Sequence, residues 1–423
     1  MPPPPHTKPK PFTSVGNDLR PAHCRPTSNH RCSIGCPPDW QRQPNVTRER
    51  LLQDPTTGKV WGTRCEGSAV EVTSGNAAKP KLELKNFPGP GEAAGWAVKQ
   101  EWSRLKKGFV LLNPVAEAGQ PSMHRYIGGG YTGALMIAGR HGRMVTNRYQ
   151  DEDASGAATD MLLLVGDDAG ILHDWRPGKT DLAWSALPAD DGKGFLIRFD
   201  SGIYLWPSDG RPPQRISDAT VMSSPFLTTS NGYVAWHDGD HVTVMRLADG
   251  ERFLQLARTP AMVGGHSRQM MGALSPDATT LACCATPGEI EYIDIAQADT
   301  VRRHRSDFEM LTKMEWSADG RWLLALEQYG EWRLLCLDAA TGECRPGWPK
   351  FADMTRTDFA LDSDSKRLAI LHRGHIALHD FTDMREIRRF PVDHVVRTAH
   401  IAWTGDNAIS VRTDYGCLST YAI

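Results

Sequence analysis

Five residues near the start of the chain, His23, Cys24, His30, Cys32 and Cys36, offer the nitrogen and sulfur donors that a tetrahedral zinc ion takes. A closed site would use the three cysteines with one of the histidines, or with Cys65, as fourth ligand. No CxxC pair anchors the set, so the sequence leaves open whether it binds metal or is an incidental tail. Gly128, Gly130 and Gly133 in IGGGYTG have the GxGxxG spacing of a pyrophosphate cradle, which requires a helix to follow. Residues 134–138 (ALMIA) read as a strand instead, so the glycines are expected in a flexible entry loop. His372, His375 and His379 in LHRGHIALHD would share one face of a helix. In the hairpin expected there, His375 and His379 share a strand face and His372 lies across the turn.

Nucleophilic hydrolysis would need an activated serine, and no GxSxG elbow is present, nor a span long enough for a second catalytic domain. A cation could instead be held by carboxylates. Asp167, Asp168, Asp238, Asp240 and Asp358 are the candidates, all at turns or strand starts where a solvated aspartate is common. Two basic clusters, Arg302-Arg303-His304-Arg305 and Arg385, Arg388 and Arg389, fall on expected outer strands or their approaches, where charge protects an edge.

The elements that must position these residues are short. In 423 residues there are 39 Gly and 29 Pro, and brief apolar runs alternate with turns, which suits an all-β protein. The net charge of −2 gives no basic field, so nucleic acid is not an expected partner. No run approaches the roughly 18 apolar residues of a membrane helix, so no membrane insertion is expected. The start, MPPPPHTKPKPF, lacks the apolar stretch of a secretory signal, and the nine cysteines are an odd, scattered set. Both point to reduced thiols and a cytoplasmic location.

Residues 265–295, GGHSRQMMGALSPDATTLACCATPGEIEYIDI, set the pattern for the rest. Gly265-His266 opens the unit, Ser275-Pro276-Asp277 makes a turn, 281–285 reads as a second strand and 289–295 as a third. The stretch resembles a WD repeat, with Gly265-His266 in place of the GH pair, Leu274-Ser275-Pro276-Asp277 in place of an FSPDG turn and Ile293-Asp294 in place of Trp-Asp. Ala278 replaces the turn glycine, Ile293 the tryptophan, and the aspartate of the buried hydrogen-bond network is missing. Phrases such as SADGRWLLAL and DAATGE are similar to YVTN-type propellers. The resemblance implies a β-propeller.

Third strands aligned on Leu172, Leu205, Val244, Tyr292, Leu334, Leu378 and Ser419 are spaced by about 33, 39, 48, 42, 44 and 41 residues, close to the roughly 40–45 of a four-stranded blade. Seven blades are expected. The polar insertion 150–159 blurs the first. Since the sequence closes on a third strand, an N-terminal segment must supply the outer one, with 109–112 expected and 60–72 as runner-up. The expected organisation is an irregular, disordered Pro-rich arm (1–58), a connector with a hairpin and a short amphipathic helix over 92–107 (59–108), and an all-β, seven-bladed β-propeller (109–423). Its expected role is a non-enzymatic scaffold, a monomer or a subunit of a hetero-complex, that binds protein partners through face loops and the arm without a cofactor. The alternative is a propeller hydrolase or lactonase with a metal in its central channel, where zinc or calcium would serve.

Overall fold

A computed structural model describes residues 48–423 apart from 130–134, 151–158, 179–180, 190–191, 193, 220–225, 264–266, 329–330, 352–353, 355–356, 373 and 396. The Cys/His set of 23–36, the Gly265-His266 pair and two of the three loop glycines, Gly130 and Gly133, lie outside the described residues.

Strands dominate because the sequence alternates apolar and polar residues over short spans between turns. In 275–280 the turn is built from side chains: Ser275 Oγ donates to Asp277 Oδ1 at 2.6 Å and accepts the Thr280 N–H at 3.0 Å. Ser317 repeats the arrangement with Asp319 and the Trp322 N–H. A Ser-x-Asp phrase thus fixes the turn between first and second strands wherever it occurs.

Among the described residues, six self-contained antiparallel sheets of three or more strands follow in chain order: five of four strands, over 137–175, 183–217, 227–257, 271–305 and 358–391, and one of three strands over 310–338. The expectation of seven such blades is corrected to six. The seventh sequence period does not make a sheet of its own. Its strands, Ala399–Gly405, Ala408–Thr413 and Cys417–Ala422, belong to a nine-stranded sheet shared with the N-terminal region.

That region contributes β1 (Arg48–Gln53), β2 (Lys59–Glu66), β3 (Ala69–Asn76), β4 (Lys79–Asn86), helix α1 (Pro90–Leu105), β5 (Val110–Leu112) and β6 (Pro121–Tyr126). β1 falls inside the stretch read as an irregular arm. The sheet runs from Ala399–Gly405 through Ala408–Thr413 and Cys417–Ala422 to β6, β5, β1, β2, β3 and β4. The strand that completes the last period is therefore β6, in register Ser419↔His124 and Thr420↔Met123. Neither 109–112 nor 60–72 fills that place: β5 pairs with β6 and β1, one position further out. The sequence PSMHRY hides β6, because its inward residues include a histidine.

Two other departures explain the uneven spacing. Ile171–Trp175, read as a third strand, is the fourth of its sheet, and the third is Thr159–Val165. From Leu163 the step to Leu205 is about 42 residues, in line with the other blades. The long step before Tyr292 holds an extra hairpin, Ala261–Val263 with Ser267–Gln269.

The core lies between neighbouring sheets. Leu164 packs with Phe195 and Ile197, Tyr292 with Leu323 and Leu335, Cys336 with Phe359 and Ile370, and Leu378 with Ile401 and Val411. Each such side chain contributes about 1.5–3 kcal/mol when fully buried. First strands meet around the axis, and Trp316 and Trp403 occupy equivalent places there. Each indole donates to a carbonyl of the preceding first strand, Ala273 O at 2.9 Å and Ala360 O at 3.1 Å. Ala399–Gly405 lies between Asp358–Leu361 and Ile137–Arg140. None of the helices among the described residues is long and apolar enough to cross a membrane.

Candidate functional site

Helix α1 begins at Pro90, whose fixed φ suits a first turn, and buries Ala93, Ala97, Glu101, Trp102 and Leu105 on the sheet of β1–β3. The stripe has helical spacing, yet a carboxylate sits in the middle of it. Glu101 is met by Arg48 from β1, Nη2 to Oε2 at 2.8 Å, and by His394, Nε2 to Oε1 at 2.9 Å. Asp393, beside His394, takes Arg48 at 3.5 Å and Arg50 at 3.4 Å. His124 of β6 presents Nε2 to Asp393 Oδ2 at 3.4 Å, and its Nδ1 lies 2.7 Å from Ser419 Oγ. The Asp393 N–H donates to the Tyr421 hydroxyl at 2.9 Å.

These groups come from both ends of the described chain; Glu101, His124, Asp393, His394, Ser419 and Tyr421 are buried, and Arg48 and Arg50 are partly so. Burial alone would raise both carboxyls, but the Arg48 guanidinium outweighs it, with help from His394 at Glu101 and from His124 and Arg50 at Asp393. Both are held below the usual carboxylate range. Burial lowers the pKa of His124 despite Asp393, which favours the neutral ring.

Two chemistries can be tested on this knot. Ser419, His124 and Asp393 are connected in the order of a hydrolytic triad, but Ser419 and His124 are completely buried inside a sheet. A substrate carbonyl has no approach to that hydroxyl. Glu101, His124 and His394 bring ligand atoms within 4.8 Å of one another, close enough for a metal ion. Their charges are already matched, however: two carboxylates face two guanidiniums, and a divalent ion would add buried positive charge without a counterion. The arrangement fits an ion-pair lock that holds β1, α1 and β6 against the last strands. Nothing in the sequence marked Asp393, His394 or His124; the only signal was Glu101 at the i+8 place of the Ala93, Ala97 stripe.

Of the candidate acids, Asp358 alone lies on a first strand. It accepts from Lys313 Nζ at 3.1 Å and from the Ile401 N–H at 3.0 Å, and His400 Nδ1 is 3.3 Å away. Burial opposes its charge, yet Lys313 and His400 depress its pKa. Glu315, near the same lysine, is pushed up to about 7 by burial. Asp168 closes a turn on the Gly170 N–H, and Asp167, Asp238 and Asp240 are exposed.

The other candidates do not converge. Gly128 has φ of +100° and its carbonyl accepts from Arg412. His372 and His375 stack across their turn at 5.0 Å, while His379 Nδ1 is 3.2 Å from the Met384 carbonyl. Arg303 and Arg305 pair with Glu289 and Glu291, and Arg389 with Glu386, all on the surface.

The face of β1–β4 opposite α1 is different in kind. Leu51, Gly62, Thr73 and Leu82 stand opposite one another across the four strands, and Leu84 lies beside them. Leu51 is 54% exposed, Leu82 61%, Leu84 66%, and Leu112 of β5 48%.

No family model matches the chain, and no curated protein does. Solved structures do. A chain in the "Crystal Structure of Mitotic Checkpoint Complex" aligns with a TM-score of 0.55 at 10% identity, covering 74% of this chain and 97% of that one. The β-propeller domain of Cps50 (Swd1) from Myceliophteria thermophila aligns with a TM-score of 0.51 at 12% identity, covering 71% and 99%. At such identities the likeness is one of architecture, and with the sheet order it makes the fold of this chain a β-propeller.

Proposed function

We propose that this chain is a non-enzymatic scaffold that holds a protein partner within a hetero-complex, without a cofactor. The observation that carries the reading is the row of exposed leucines on a sheet whose other face α1 seals. Apolar surface grouped on a rigid element marks an interaction site. Connections between blades and the arm before β1 would add recognition on the same scaffold. The ring reading is part of the proposal: the first strand of the last period, Ala399–Gly405, touches first strands of the sheets on either side. Five of the described cysteines are buried free thiols, which suits a reducing cytoplasm.

The channel-metal hydrolase is the weaker reading, because the one acid candidate on a first strand already holds an ammonium. A cation there must displace Lys313.

The test is native mass spectrometry of the tagged chain purified from its own cells, beside Leu51→Asp. The reading expects a stoichiometric foreign protein with wild type and its loss, by about tenfold or more, with the variant. A stoichiometric divalent ion and no partner would replace it with the hydrolase, and a partner retained by Leu51→Asp would remove the leucine row from the argument.

A further inference from the structure

β4 is the last strand of the nine-stranded sheet, so among the described residues one side of its backbone is unpaired. Which groups face that side follows from the register. The Phe87 N–H donates to Ser68 O at 2.9 Å, in line with the pairs Lys85↔Val70, Glu83↔Val72 and Lys81↔Ser74. Hydrogen-bonded pairs recur at every second residue of an antiparallel ladder. Odd-numbered residues of β4 therefore bond to β3, and the backbone groups of Pro80, Leu82, Leu84 and Asn86 point to the open edge.

We propose that this edge pairs antiparallel with the same edge of a second copy of the chain, about a twofold axis at Leu84. Residues directly opposite share a face, so three symmetric registers keep the leucines of both copies together, with the axis at residue 82, 83 or 84. An axis at 83 sets Glu83 against Glu83 and Lys81 against Lys85, like against like. An axis at 82 matches Lys81 with Glu83 but sets Lys79 against Lys85, and it places Pro80 opposite Leu84, where the missing N–H costs ladder bonds. With the axis at 84, Glu83 of each copy faces Lys85 of the other. Leu84 meets Leu84, and Leu82 meets Asn86, with every N–H in these pairs available; Pro80 falls beyond the paired stretch. Charge complementarity and the proline select the same register. The side chains concerned are within reach of the edge: Leu82 and Leu84 are exposed, Glu83 meets Lys85 of its own strand at 2.6 Å, and the Lys85 ammonium lies 5.7 Å from the Trp96 ring centre, so the cross-copy pair exchanges one carboxylate for another on that ammonium.

The pairing shares Leu82 and Leu84 with the leucine row but engages the backbone edge of β4, and it needs neither Leu51 nor a foreign partner, so Leu51→Asp leaves it intact while it removes the foreign partner. It is tested by sedimentation velocity of the purified full chain over a concentration series, with Glu83→Lys, the double exchange Glu83→Lys with Lys85→Glu, and Leu84→Pro. Wild type is expected to dimerise reversibly. Glu83→Lys, which puts two lysines opposite each other twice, weakens the dimer about tenfold or more, and the double exchange restores it. Leu84→Pro removes edge bonds while sparing the β3 ladder, and abolishes dimerisation with an unchanged melting profile. A wild type that stays monomeric throughout the series overturns the proposal. So does a dimer indifferent to Glu83→Lys, a double exchange that fails to restore it, or a complex whose mass is not twice that of the chain. Should Leu84→Pro not fold, the charge exchange decides alone.

Discussion

Gly62 shows how closely residue identity is tied to packing. A Cβ built there would lie 2.6 Å from the Arg50 carbonyl and 3.0 Å from Leu51 Cδ1, so only glycine lets β1 and β2 approach at this point. Gly62→Ala is expected to cost about 1–3 kcal/mol, read as a lower urea midpoint. Glu315 gives a pH signature. Its folded pKa, near 7, lies above its ordinary value of 4.5, so the folded state favours the protonated form. Its contribution is intact below pH 4.5 and is lost as pH rises towards 7. Glu315→Gln, fixed in the neutral form, is expected to gain stability relative to wild type between pH 5 and pH 8, measured as a growing difference in denaturant midpoints. A flat difference over that range would mean that the carboxyl titrates as it does in water.

At the scale of elements, the buried knot determines how α1, β1 and β6 stay seated. Glu101→Gln leaves Arg48 without its closest carboxylate, and breaking one side of a buried pair costs about 3 kcal/mol. The sign with pH follows from depressed pKa values. Glu101 and Asp393 stabilise the fold above their unfolded values of 4.5 and 3.8, and this is lost as pH falls towards their folded ones. His124, also depressed, stabilises above 6.5 and loses this on acidification. Glu101→Gln should therefore unfold at lower urea than wild type at pH 7, the gap narrowing below about pH 4.5. Equal midpoints at pH 7 would show that the knot is electrostatically idle. Sequence patterning placed α1 within two residues at each end, 92–107 expected against Pro90–Leu105 observed, since the amphipathic stripe that includes Trp102 and Leu105 is a local signal; the start was set late because Pro90, which opens the helix, looks like a breaker. The hairpin expected in the connector was legible for the same reason: β2 and β3 pair across a tight turn with Gly67 at φ of +58°. The knot was not legible, because Arg48 and Glu101 are 53 positions apart and the pairs that reach Asp393 and His394 nearly 300 or more, and all look like ordinary surface charge until the strands are paired.

For the whole molecule, periodicity carried the propeller and failed where the chain departs from it. Third strands from Leu205 onward were found because they recur at steps of about 39 to 48 residues, and two of the turns before their second strands share one Ser-x-Asp arrangement. The first sheet was misread by one strand, since an insertion between its second and third strands moved the next recognisable segment forward. The last period was read as a blade closed by an N-terminal strand at 109–112, but β6 closes it and β5 and β1 extend it, and a local pattern cannot show that one sheet spends its remaining edge on five further strands. The candidate acids fared likewise. Asp358 was marked, and the structure adds what sequence could not, that Lys313 and His400 from neighbouring first strands meet it.

The nine-stranded sheet has a consequence for how the chain reaches its native state. Cys417 pairs with Tyr126 and Ser419 with His124, so this sheet is assembled from segments nearly 300 residues apart, whereas each of the six self-contained sheets pairs segments that follow one another. Closing so long a loop is entropically costly and weights the topology towards late contacts. During synthesis β6 must wait, with its inward face uncovered, until the six intervening sheets and the final strands have emerged. The same segment that joins the ends of the fold is thus the one longest exposed to wrong pairings, and its polar sequence, PSMHRY, is poorly suited to aggregation.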